Sequence, residues 1–103
     1  MRSEDSIDFF VVIADRKKKK ELMTLIADSG GKMVHTIYGR SSVSSSFFME
    51  AFSFIPEEHK IVIVCLMRKS ASDTAVETLI RKFRFDKPNT GIAFTIPVEG
   101  LSY

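Results

Sequence analysis

YGRSSVSSSFFMEAFSFI, residues 38–55, separates two strand-like runs, KMVHTIY (32–38) and IVIVCLM (61–67). Hairpin connections usually take two to five residues, and ordered domains rarely carry a loop above ~12 residues without a use for it. The segment is therefore read as a functional insertion between two strands that can pair. It opens with Tyr38, Gly39 and Arg40. It continues through Ser41, Ser42, Ser44, Ser45 and Ser46, then turns aromatic at Phe47, Phe48, Phe52 and Phe54. The serines favour a mobile hinge, and the phenylalanines offer anchors for a partner's pocket. The same phenylalanines could instead pack on a neighbouring subunit.

Upstream, Phe9-Phe10-Val11-Val12-Ile13-Ala14 reads as a buried strand. Asp15 follows as a helix cap, then the basic run Arg16 to Lys20, then an apolar stripe of Leu22, Leu25 and Ile26. Basic residues in a first turn have the wrong sign for the helix dipole. The lysine run reads as a solvated helix face, or else as a surface for an acidic partner or membrane phosphates. Gly30 and Gly31 end the helix. Downstream, 61–67 is the clearest strand of the chain. Ser70-Ala71-Ser72-Asp73 has the serine-to-acid spacing of a capped helix start. Val76, Leu79, Ile80 and Phe83 supply that helix's apolar stripe. Ile92, Phe94, Ile96 and Val98 alternate along a last strand, which Pro97 places at a sheet edge or a strand end.

The order strand, helix, strand, long loop, strand, helix, strand is a ferredoxin-like βαββαβ sandwich of the α+β class. It implies a four-stranded antiparallel sheet with right-handed crossovers that put two helices on one face. Residues 1–103 form one domain, with the insertion at about 39–56. The first and third strands are apolar on both sides, the mark of strands covered on both faces. Two helices cover one face, and leaving the other in water would expose several hundred Å² of apolar surface. At ~25 cal/mol per Å² its burial contributes several kcal/mol, so a homo-oligomer packed through its sheets is expected.

Charge is nearly balanced, with 15 Lys and Arg against 13 Asp and Glu, so charge alone gives no case for nucleic acid. Cys65 is the one cysteine, which excludes an intrachain disulfide and suits a reducing cytoplasm. No stretch approaches the ~20 apolar residues of a membrane span. A soluble cytoplasmic protein, not embedded in a membrane, is expected.

Several stretches together resemble the divergent branch of the PII family of signalling proteins, across about residues 9–99. They are SDTAVETLI (72–80), KPNTGIAFTIPV (87–98), Phe47-Phe48 and PEEHKIV (56–62). The resemblance implies a homotrimer of ferredoxin-like domains that is not an enzyme. An adenine nucleotide (ATP, ADP or AMP) would bind in the clefts between subunits as a regulatory ligand. It implies nucleotide contacts from Tyr38, Gly39 and Arg40, from Asn89, Thr90 and Gly91, and from Val64 against the adenine. The long loop, with Ser41, Ser42, Phe47, Phe48, Phe52 and Phe54, would dock on a target such as a membrane transporter or a nitrogen-metabolism enzyme. Where the family carries Gly-Asp-Gly-Lys, this chain has Asn89-Thr90-Gly91-Ile92, without the lysine.

No catalytic constellation is legible. His35 and His59 are far apart, and Cys65 sits inside an apolar strand, where a thiol is usually inert packing. A trimer of similar architecture for metal tolerance, like the CutA family, would need a metal cluster, and none is visible; none of the residues is assigned as a metal ligand. A ferredoxin-like RNA-binding module would need aromatics on the central strands and a basic face. Phe9, Phe10 and Lys17 to Lys20 are its material, and no nucleic-acid partner is assigned.

Overall fold

Strand β1 (Ile7–Asp15) and strand β3 (Lys60–Arg68) form the centre of an antiparallel sheet. Their apolar, β-branched composition suits burial on both sides. Strand β2 (Lys32–Tyr38) flanks β3, and strand β4 (Gly91–Pro97) flanks β1, giving the order β2-β3-β1-β4. Helix α1 (Lys19–Asp28) joins β1 to β2, and helix α2 (Lys69–Lys82) joins β3 to β4. This is the expected ferredoxin-like arrangement. The structure is a computed structural model and describes residues 6–38, 59–87 and 90–99. The insertion at 39–56 lies outside the described residues.

The core forms between one sheet face and both helices. Phe10, Val12 and Ala14 of β1 and Ile61, Ile63, Cys65 and Met67 of β3 meet Leu22 and Ile26 of α1 and Ala75 and Leu79 of α2. The period-2 alternation of the strands and the i, i+4 spacing of the helical pairs place these residues there. Burial raises the Cys65 thiol to about 11, so it stays protonated at neutral pH and behaves as a small hydrophobe.

The start of α2 differs from the sequence expectation. The 70–73 motif does not cap it. The helix begins at Lys69, straight after β3, and Arg68 makes no side-chain cap bond. Ser72 is buried one turn in, where its hydroxyl contacts Asp8 Oδ2 at 2.7 Å and the Lys69 carbonyl at 2.9 Å. Asp73 instead pairs with Lys69 across one turn at 2.9 Å. A serine in a first turn bonds either the helix backbone or a neighbouring group, and a buried carboxylate is the stronger acceptor.

The other sheet face carries Phe9, Val11 and Ile13 of β1, Val62, Val64 and Leu66 of β3, and Ile92, Phe94 and Ile96 of β4, aligned in register. Ile37 and His35 of β2 extend two of these rows. Among the described residues no helix covers this face. Ile96 is 48% exposed, while Val11 and Ile13 at its centre are buried. The apolar second face expected from the two-sided strands is therefore present.

Candidate functional site

Tyr38, Ile61, Ala14 and Gly91 form one row across one end of the sheet. The row links the two backbone segments expected to hold a ligand, the end of β2 and the start of β4. They stand at opposite edges. Three strand spacings separate them, about 14 Å.

At the β2 end, Tyr38 lies on the helical side of the sheet, since it alternates with Ile37 and pairs with the core residue Ile61. Its hydroxyl is 2.5 Å from Lys19 Nζ, and the Arg16 guanidinium lies 5.0 Å from its ring centroid. Asp15 accepts from the Lys17 backbone N–H at 2.9 Å and so starts the 3-10 turn Arg16–Lys18 that presents these cations. The Lys19 hydrogen bond holds the Tyr38 phenol below its ordinary value of 10.0. The sign follows from linkage. A depressed acid contributes stability that is complete above its unfolded pKa and is lost as pH falls through the folded value, so this contribution is complete only above the ordinary phenol value of 10.0. Lys19→Gln is expected to move the phenolate ultraviolet titration upward; an unmoved curve contradicts the contact.

At the β4 end, the Thr90 hydroxyl is 2.8 Å from the Arg84 carbonyl and 2.9 Å from that of Lys87, and so closes the connector from α2. Arg84 adopts a left-handed conformation with φ of 60°, uncommon for a residue with a side chain. Phe85 lies over Gly91, and its ring is held edge-on by Phe83 at 6.2 Å. A Cβ on Gly91 would fall within 2.8 Å of three Phe85 ring carbons. Gly91 is thus required by packing. Gly91→Ala is expected to cost about 1–3 kcal/mol by displacing that ring. Urea unfolding of the single variant and of its pair with Phe85→Ala checks this, because the clash is absent in the pair.

Val64 stands on the open face, in the row His35–Val64–Val11–Phe94, three residues up the strand from Ile61. It therefore projects from the opposite face of the sheet to Tyr38. Gly39, Arg40 and Asn89, and the loop residues Ser41, Ser42, Phe47, Phe48, Phe52 and Phe54, lie outside the described residues. Sequence reasoning does not find Arg16 and Lys19 as neighbours of Tyr38. Only the strand register brings them together, although the basic run itself is conspicuous. Among the described residues no three His, Cys, Asp or Glu side chains converge as a metal cluster, and no helix is long and apolar enough to cross a membrane.

No protein-family profile and no curated protein sequence matches the chain. Solved structures do. The apo form of CPII from Thiomonas intermedia K12, a nitrogen regulatory PII-like protein, superposes with a TM-score of 0.63 at 12% identity, over 89% of this chain and 88% of that one. CPII bound to ADP, AMP and acetate gives 0.63 at 17% identity, over 91% and 89%. A PII-like signaling protein from Thermus thermophilus gives 0.62 at 13% identity, over 89% and 85%. The chain has the fold of the PII-like proteins.

Proposed function

We propose that this chain is a non-enzymatic PII-like regulator of the cytoplasm. It assembles as a homotrimer through the open sheet face and binds an adenine nucleotide at the subunit clefts. Through the 39–56 loop it reports the ligand to a target protein, a transporter or an enzyme of nitrogen metabolism. The observation that carries this reading is the separation of the two half-sites. Tyr38 and the Thr90–Gly91 turn share one row but sit on opposite edges of the sheet, so a cleft that sets the β2 edge of one copy beside the β4 edge of another would bring them together. The apolar face opposite the helices, half-buried at Phe9, Val64 and Phe94 and exposed at Ile96, supplies a reason for copies to associate. A neighbour of the same fold was crystallised with ADP and AMP.

In this reading Tyr38, Gly39 and Arg40 come from one edge, with Asn89, Thr90 and Gly91 from the other and Val64 from the sheet. An arginine and backbone N–H groups of a glycine-containing turn suit phosphate oxygens, and a valine suits the adenine ring. The loop tip, with Ser41, Ser42, Phe47, Phe48, Phe52 and Phe54, then reads the partner. Calorimetric titration with ATP, ADP and AMP is expected to give saturable heat with at least one. No heat from any at millimolar ligand contradicts the nucleotide reading.

A further inference from the structure

A groove of about 980 Å³ runs on the helical side of the protein, between the basic turn that leads into α1 and the end of α2 with its following connector. One wall carries Lys17, Lys18 and Lys20, and the facing wall carries Lys82 and Arg84. Leu25, Phe83 and Phe85 add an apolar floor. Asp15, Glu21 and Asp28 also border it, so five cations stand against three carboxylates. The Asp15 carboxylate already accepts the Lys17 backbone N–H. Arg84 pairs with Asp86 at 3.7 Å, a solvent-exposed pair of small strength.

Like charges on facing walls repel, and a concave site with low-dielectric walls strengthens their common field. An anion in the groove turns that repulsion into attraction from both sides. The connector adds a second feature. The left-handed backbone of Arg84 is fixed by the Thr90 hydroxyl on its carbonyl, so the cation stands on a closed, strained turn. Strained positions held by surrounding structure concentrate at ligand sites. Lysines give point charges and arginine a planar fork, a mixture that suits several phosphate groups better than one carboxylate.

We infer that this groove is a binding site for a compact polyanion carrying two or more phosphate groups. It is separate from the nucleotide cleft proposed above. It shares Thr90 with that cleft but uses neither Tyr38, Arg40 nor Val64, and it lies within one protomer.

The test is calorimetry with inorganic tripolyphosphate, at constant ionic strength, on the full chain and four variants whose folding is checked by thermal melting. Lys17→Gln/Lys18→Gln and Lys82→Gln/Arg84→Gln, one pair from each wall, are each expected to weaken binding about tenfold or more, as loss of two charge-assisted contacts implies. Lys32→Gln, on β2, is expected to leave it unchanged, whereas Arg40→Gln reports any binding of the same anion in the proposed nucleotide cleft. No heat at millimolar tripolyphosphate overturns the inference. So does parent-like binding by both wall variants, including the case in which only Arg40→Gln loses binding, which would place the anion in the other site.

Discussion

Replacing Phe94 with lysine is expected to convert the proposed homotrimer into monomers of 11.6 kDa while leaving the protomer folded. Phe94 lies on the open sheet face, in the row with Val11, Val64 and His35, and is only partly buried within its own chain. In the protomer a lysine there can turn its ammonium to water along its aliphatic stem. Between packed sheets the same charge has no water, and burying an unpaired charge costs several kcal/mol. The proposed trimer would repeat that cost at each contact. Sedimentation equilibrium reads the mass, and far-ultraviolet circular dichroism reads the fold. An unchanged mass would show that copies do not associate through this face.

Phe10→Ala is expected to lower stability by about 3–5 kcal/mol, most of what a marginal domain has. Phe10 is 0% exposed, pairs with Cys65 and Thr95, and belongs to the cluster beneath both helices. Deleting its ring removes the transfer energy of the buried atoms and leaves a cavity under a rigid sheet. The urea midpoint read by circular dichroism measures the loss. A change below about 1 kcal/mol would mean that the site collapses onto the void, against the packing described. The two variants separate the two faces of the sheet. Phe10 acts on the fold of one protomer, whereas Phe94 acts on assembly.

The elements are legible where local pattern and global packing agree. The two-sided apolar runs of β1 and β3 identify central strands, and Pro97 identifies an edge. Leu22, Ile26 and Leu79 fall on the helical stripes read from their spacing. The beginning of α2 escapes local reading because Ser72 has a partner 64 residues away, Asp8, that no local pattern announces. The candidate site is legible only in part, and for the same physical reason. Tyr38 meets Arg16 and Lys19 through strand register, and Gly91 is set by the ring of Phe85. A glycine before a strand reads as turn geometry, and only the folded chain shows the ring that excludes a side chain there. The basic run 16–20 has a solvated face as its simpler reading; the groove opposite Lys82 and Arg84 adds a reason for its charge.

The ligand reading and the assembly reading stand on one geometric fact, the half-sites at opposite edges of one row. They are tested together by titrating ADP by calorimetry into the parent protein and, side by side, into the Phe94→Lys monomer. Saturable heat with the parent and none with the folded monomer is the predicted result. No heat from either at millimolar ADP, or equal heat from both, would contradict a nucleotide site completed between subunits.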